Sequence, residues 1–438
     1  MPATATLHSI SYGARRLDVN VPDGVSVDVV TRREIGLRDE SAVLKNALDN
    51  PIAAPRLRDF LSGSQSTLVV VNDATRSTPT AVILDAIWSD LAACPNWRVI
   101  IATGLHRGAT EAELETLFSN RLTDVLPRLL VHDGYDDSQL ATVESPVGPI
   151  RINRAVMEAD RLILINSVEP HFFAGYTGGC KSIIPGVAGY DTVQRSHAGA
   201  VTTEAAVLAV DDNPVRQYIH AGSRFVDDNS IWSIQTVLDK HDKLAAAFAG
   251  NVDKTFDAAC AEARNCYVVE IDSPYDIVIG AIHPPLDMSL YQAMKGWELP
   301  MAGVRDGGVM IITAPCQEGV GARFYMRLIQ EFPDKNKWSD LESRPYTLGL
   351  HKLVRTARAL RRIRLFAVTE MPTEEVRQYG YVPFNDLDSA IDEAIRCVGT
   401  PARLLIVEDS ALTTIVRKHD PMRHELARLT TEGERFDV

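Results

Sequence analysis

Short runs of nearly unbroken apolar residues recur along the chain, separated by stretches of helical periodicity. Thr67 to Val71, Arg98 to Ala102 and Arg161 to Ile165 form one set, and Tyr275 to Ala281, Val309 to Thr313, Leu365 to Val368 and Leu404 to Val407 form a second. Strands buried on both faces read this way, because crossover helices cover each side of a parallel sheet. The first thirty residues differ. Polar and apolar positions alternate in Leu7 to Ser11 and Leu17 to Val21, around Gly13 and Pro22, which predicts a small β-hairpin. The pattern as a whole predicts an α/β protein: two α/β domains with mostly parallel sheets and a small N-terminal β-hairpin. The turn signal Asp272-Ser-Pro-Tyr275 places the boundary near residue 270. That gives an N-terminal domain over 1–270 and a C-terminal domain over 271–438 that closes a crevice. The final stretch, rich in Arg, Glu and Thr, predicts a surface helix and tail.

At 438 residues the chain is too long for one core. A formal charge of −13 excludes nonspecific partners such as nucleic acid or anionic membrane, which demand clustered Lys and Arg. An anionic small molecule would then need a local cationic pocket, which singles out Arg76, Lys181 and Lys295. The six cysteines, at 94, 180, 260, 266, 316 and 397, show neither a CxxC pair nor zinc-like spacing. That usage suits a reducing compartment. No apolar run approaches about 18 residues and the start, Met-Pro-Ala-Thr, lacks a basic-then-apolar signal, so the expected location is the cytoplasm.

Candidate chemistry lies where the first set of strands ends. After Val71 comes Asn72-Asp-Ala-Thr-Arg-Ser-Thr-Pro79, with the proline suited to the first position of a helix. Such a turn can receive an anion, with Asp73, Thr75 and Ser77 orienting it and Arg76 supplying a bidentate fork; simple capping by Thr78 is the alternative. After Ala102 comes Thr103-Gly-Leu-His-Arg-Gly-Ala-Thr-Glu-Ala-Glu113, where Thr110 and Glu113 form a capping box. His106 is therefore on the loop, free for acid/base work or merely at the surface. The third strand leads into Glu169-Pro-His-Phe-Phe-Ala-Gly-Tyr-Thr-Gly-Gly-Cys-Lys-Ser-Ile-Ile-Pro-Gly186. Its glycines, Gly178 and Gly179 among them, permit positive φ and close backbone approach around His171 and Lys181. It falls short of a phosphate loop, because Cys180 replaces the second glycine and Pro185 interrupts the helix that should follow. Tyr190 to His197 reads as helix. On the second set of strands, Gln292 and Lys295 are i, i+3 neighbours on one helix face, where a solvated amphipathic face is the plain alternative. The carboxyl ends of parallel strands share one edge, so the first three loops converge.

Taken together, DATRSTP at 73–79, TGLHRGAT at 103–110, EPHFFAGYTGGCKSIIPG at 169–186, SHAG at 196–199 and YQAMKG at 291–296 resemble the nickel-pincer lactate racemase family. The resemblance implies a nickel-pincer nucleotide, that is a pyridinium-3-thioamide-5-thiocarboxylic acid mononucleotide carrying nickel. It would be covalently attached at Lys181, with His197 as the protein's metal ligand and Asp73, Thr75, Ser77, Gly178 and Gly179 around the nucleotide. Soft donors with one imidazole suit Ni(II). It also implies His106 and His171 as the acid/base pair, Arg76, Gln292 and Lys295 as substrate contacts, and cofactor-maturation enzymes as partners. The implied activity is a racemase or epimerase that inverts the 2-carbon of a small 2-hydroxy acid by hydride transfer. Cys180 stands before the tether lysine where family members more often carry arginine, which admits a larger 2-hydroxy acid or an aldonate beside lactate. Tyr346 and Phe324 are available for the family's aromatic pocket position. The residues alone leave two other readings open: a lyase using a Schiff base at Lys181, and a non-catalytic protein that binds the nickel nucleotide. The oligomeric state is not set by these features.

Overall fold

Three β-branched runs build the first sheet: β4 (Thr67–Asn72), β5 (Trp97–Ala102) and the later β7 (Arg161–Ser167). They are preceded in the chain by β1 (Thr6–Tyr12), β2 (Arg15–Asn20) and β3 (Val25–Val30), and joined by β6 (Leu129–Val131), β8 (Ile231–Leu238) and β9 (Leu244–Gly250). The computed structural model describes residues 6–34 and 39–418, so the predicted surface helix and tail lie mostly outside the described residues. Strand order in this sheet is β9-β8-β7-β4-β5-β6, parallel throughout except for β9. Val69, Val71, Val99, Ile101, Ile163 and Ile165 are fully buried in one core with Ile83, Leu84, Ile87 and Leu91. The latter four recur at helical spacing on α1 (Thr80–Ala92), whose apolar stripe therefore covers the sheet. Each such side chain contributes about 1.5–3 kcal/mol by leaving water.

A second set of strands comprises β10 (Tyr275–Ala281), β11 (Val304–Thr313), β12 (Arg364–Val368), β13 (Val382–Phe384) and β14 (Ala402–Val407). They form a second, wholly parallel sheet in the order β13-β12-β11-β10-β14-β3. Val25 to Val30 pairs residue by residue with Ala402 to Val407. Arg32, 4% exposed, is ion-paired with Asp409 at 2.7 Å. The chain accordingly divides into Arg33–Cys266 on one hand and Met1–Arg32 with Tyr267–Val438 on the other. This corrects the expected span of 1–270. Alternation in the first thirty residues says which face of each strand is buried, but not which sheet they join. The hairpin β1-β2 is present as read.

Candidate active site

From β4 the sheet is built in two directions, through β5 and β6 on one side and through β7 and β8 on the other. The two loops leaving the carboxyl ends of β4 and β7 therefore diverge at a topological switch point, where open α/β sheets take their ligands. Those loops carry Asp73 and Arg76, and Glu169, His171 and Lys181. The loop after β5 adds His106. Side-chain bonds lock the strand ends together: Thr78 Oγ1 donates to Asn72 Oδ1 at 2.8 Å and lies 3.0 Å from Ser167 Oγ, which donates to Glu169 Oε1 at 2.8 Å. Thr78 is thus a cross-strand tie and does not cap α1, which starts without a side-chain cap.

His106 Nδ1 lies 2.7 Å from Asp73 Oδ2. A carboxylate accepts only, so Nδ1 carries the proton and the lone pair of the neutral ring sits on Nε2. Asp73 also accepts from Thr75 Oγ1 at 2.6 Å and from the Thr75 amide at 3.2 Å. Burial would raise its pKa, but His106, the Thr75 hydroxyl and Arg76 outweigh burial and hold it at about 2. Asp73 and Thr75 are thereby committed to His106 and to each other, which gives Asp73 a task its sequence context did not suggest. The exposed Ser77 and the Arg76 guanidinium are what this turn offers an anion. Arg76 contacts Glu169 at 3.4 Å, a long pairing for a site 15% and 4% exposed. Glu169 stood inside a quoted motif and was not singled out; a buried carboxylate facing a conspicuous arginine was the signal for it.

The stretch 168–189 is almost entirely buried, which is rare for a loop and requires that its backbone groups be satisfied internally. Gly178 and Gly179 have φ of 80° and 59°, and a Cβ on Gly178 would come within 2.6 Å of Val168 Cγ2. The 3-10 turn Gly179–Ser182 presents Lys181, which is half-buried. Burial, then Arg76 and Arg216, drives its amine from 10.5 down to about 7, against Asp73 and Glu169. His171 is buried, accepts from the Ala174 amide on Nδ1 at 3.3 Å, and meets Phe173 edge-on at 4.5 Å. Its neutral ring therefore carries the proton on Nε2, opposite to His106. Phe173 in turn meets His197 at 5.1 Å.

His197 lies on the helix Tyr190–Ala198, where Nδ1 is 2.9 Å from the Val193 carbonyl. That carbonyl fixes the proton on Nδ1 and leaves the Nε2 lone pair as a donor atom. Burial first, then the charges of Lys181 and His106, lowers its pKa to about 3, so the ring is neutral. The same coupling places His197, Lys181 and His106 within one electrostatic neighbourhood. The capping box of Thr110 and Glu113 forms as read, at the start of the helix Glu111–Phe118. Gln292 and Lys295 belong to the other unit, where the expected helix is two single turns, Leu290–Ala293 and Lys295–Glu298. Phe324 packs edge-on against Tyr291, and Tyr346 bonds His351 through its hydroxyl at 2.7 Å.

An α/β protein that gathers imidazoles and a neutral-range lysine at the switch point of a parallel sheet is the class this arrangement defines. Residues 12–209 match the lactate racemase N-terminal domain and residues 271–416 the lactate racemase C-terminal domain. A lactate racemase from Thermoanaerobacterium thermosaccharolyticum is 29% identical over 431 residues, covering 93% of this chain and 99% of its own. One from Lactiplantibacillus plantarum is 28% identical over 309 residues, 69% of this chain and 72% of its own. The solved structure of the Thermoanaerobacterium apoprotein aligns with a TM-score of 0.83 at 28% identity, over 93% of this chain and 99% of that one. A crystal structure of a Thermotoga maritima protein, 20% identical with a TM-score of 0.68 over 87% of this chain and 98% of that one, shares the fold. The chain belongs to the lactate racemase family. Its relatives support a racemase, an isomerase by class. No helix among the described residues is long and apolar enough to cross a membrane.

Proposed function

We propose that this chain racemises or epimerises a 2-hydroxy carboxylic acid with a nickel-pincer nucleotide held covalently at Lys181. The observation that carries the reading is the meeting, at one switch point, of the Lys181 amine, the neutral His197 ring and the His106–Asp73 pair. The residues fit the group. A half-buried amine near neutrality is a competent nucleophile for the tether, and His197 offers a lone pair to a metal. Among the described residues no three His, Cys, Asp or Glu side chains are arranged to hold a metal ion. A metal here would thus take fewer than three such donors from the described residues, His197 among them, and the rest from the nucleotide.

When bound, the nucleotide supplies a reversible hydride acceptor for the 2-carbon. The chain's own residues do the remainder. Arg76 holds the substrate carboxylate, drawn from its long contact with Glu169. His106, with its lone pair on Nε2 and Asp73 behind it, takes the hydroxyl proton; His171, entering the cycle as the imidazolium, returns a proton from Nε2 to the product oxygen and is left neutral. One ring starts neutral and the other protonated, and reversal of the reaction exchanges these states. The buried loop around Lys181 excludes water from the reacting carbon.

The test is full-length protein made with the cofactor-maturation enzymes: intact mass and nickel content, then chiral chromatography over a panel of 2-hydroxy acids that includes lactate and aldonates. Added mass on Lys181, nickel at one per chain and inversion of one acid support the reading; absence of both mass and nickel defeats it. His106→Ala and His171→Ala are expected to abolish turnover with the adduct retained, which separates an enzyme from a carrier. The lowered amine also suits a Schiff base with a carbonyl substrate; borohydride trapping on nickel-free protein distinguishes that lyase.

A further inference from the structure

Beyond the residues that surround the proposed nucleotide, one buried cation acts on the tether loop from behind. Arg216, 6% exposed, lies in the first turn of the helix Pro214–Ser223. Its Nη1 donates to the Gly178 carbonyl at 3.3 Å and its Nη2 to the Tyr176 carbonyl. The guanidinium lies over the Phe256 ring at 4.3 Å, and a Cβ on Gly179 would touch that same ring. Asn213, one turn earlier and fully buried, donates to the Phe173 carbonyl at 2.9 Å. From the sheet, Gln235 Oε1 accepts from the Gly179 amide at 3.1 Å and Asn166 Nδ2 donates to the Gly179 carbonyl at 3.3 Å. Residues 173–179 are thus held from the helix on one side and from β7 and β8 on the other.

Holding a loop does not require a charge. Asparagine or glutamine would satisfy carbonyls without the desolvation cost of a buried guanidinium, several kcal/mol for an unpaired ion. Among the described residues no carboxylate lies within ion-pair distance of Arg216, and the groups that act on it electrostatically are the thiols of Cys180 and Cys260. Its charge has no ion-pair partner among the described residues, and it reaches Lys181 through a shared acceptor, the Gly178 carbonyl, which takes the Lys181 amide at 3.2 Å as well as Arg216 Nη1. The charged groups facing that amine are Arg76 and Arg216, opposed by Asp73 and Glu169. Arg76 is balanced by Glu169; Arg216 is not.

We propose that Arg216 is a positioning residue for the covalent loading of Lys181, clamping the tether loop through two carbonyls while confronting the amine with a fixed positive charge that makes it react as a nucleophile. The inference rests on the reading of Lys181 as the attachment point. In loading, the amine nitrogen attacks an activated acyl or thioacyl carbon. The N–C bond forms, the bond to the leaving group breaks with its electron pair, and the amine proton passes to solvent.

The experiment uses unloaded full-length chain and N-hydroxysuccinimide acetate, which leaves an amide and N-hydroxysuccinimide. Acetylation of Lys181 at pH 7 is measured by peptide mass spectrometry relative to Lys45, which is 76% exposed. Arg216→Gln is expected to lower that ratio about tenfold, the effect of about one pH unit in the amine's proton affinity. Arg216→Lys, which keeps the charge, is expected to stay within about threefold of wild type. Gln235→Ala releases Gly179 without touching any charge and is likewise expected within about threefold. An unchanged ratio in Arg216→Gln, an equal fall in Arg216→Lys, or an equal fall in Gln235→Ala each overturns the proposal. Should Arg216→Gln not fold, the pH profile of acetylation in folded Arg216→Lys decides: a midpoint as in wild type supports it and an upward move overturns it. Wild-type chain that acetylates at Lys181 yet never acquires nucleotide would remove the proposed function and leave this effect standing.

Discussion

Asp73→Asn isolates the contribution of one buried carboxylate to His106 as the proposed base. The substitution keeps shape and removes charge. In the wild type the Asp73 carboxyl is brought from 3.8 to about 2 despite burial, with His106 as the foremost favourable partner. At about 1.36 kcal/mol per pH unit that difference is roughly 2.4 kcal/mol between the charged and neutral carboxyl. Thr75 and Arg76 share in it, and the imidazole is 41% exposed and partly screened, so about 1–2 kcal/mol belongs to the His106 pair. Losing that from a step in which the ring gains a proton slows it roughly 5- to 30-fold. The amide adds a second penalty. Its NH2 turned toward Nδ1 would select the tautomer with the proton on Nε2, which leaves no lone pair facing a substrate hydroxyl. The expected fall in kcat is therefore on the order of 10²-fold or more. Chiral chromatography of loaded protein gives the rate, and intact mass verifies that the Lys181 adduct is retained. A variant with full adduct and kcat within about threefold of wild type would refute the assignment of His106 as a carboxylate-backed base.

Three further outcomes follow from particular contacts. Lys352 is 2% exposed, donates to the Tyr291 carbonyl at 2.8 Å, and is lowered to about 7 by burial foremost and Arg355, against Glu298. The unfolded amine holds its proton to about 10.4, so between about pH 7 and 10.4 the unfolded state binds more protons and stability rises with pH; Lys352→Met should remove that rise in denaturant melts at pH 7 and 9.5, and parallel slopes would count against it. Gly178→Ala places a Cβ at 2.6 Å from Val168 and 2.8 Å from Gln235 at a φ of 80°, and is expected to cost about 2–4 kcal/mol in thermal melts; a loss below about 0.5 kcal/mol would show that the loop yields. His197→Ala should keep the added mass on Lys181 while nickel per chain falls at least about tenfold, since even outer partners of a ligand are worth that much; unchanged nickel would remove His197 from the metal.

Both sheets were legible because strands buried on two faces leave unbroken apolar runs, and β4, β5, β7, β10, β11, β12 and β14 all carry one. The capping box at Thr110 was legible because it is a local reciprocal bond. What depends on strand order was not. That β3 joins β14 is a pairing between residues nearly 380 positions apart, and nothing local in Val25 to Val30 encodes it. The Asp73–His106 bond is likewise set by the adjacency of β4 and β5, so a carboxylate in an anion-ready turn was read by its local company alone. Arg216 and Gln235 carried no signal, because a lone arginine in a helix and a glutamine in a strand acquire meaning only once the 173–179 backbone is laid against them.

Cys180 shows how sequence adjacency can mislead about a site. Standing next to Lys181, where family members more often carry arginine, it suggested a changed substrate range. Successive residues of a tight turn point in different directions, and their surroundings differ accordingly. Lys181 is acted on by Arg76, Arg216, Asp73 and Glu169, whereas Cys180 is acted on by Asp253, Arg224, Arg216 and Asp228. Only Arg216 is common to both. The thiol is buried and pushed up to about 12, foremost by desolvation, so it is neutral and inert. An arginine at this position would meet the Arg224–Asp253 pair behind the loop, and not the side of the turn that faces Asp73 and Glu169. Cysteine here is therefore a neutral packing residue beneath the loop, and under the proposed function the choice of acid would fall to the groups that act on Lys181 rather than to this thiol.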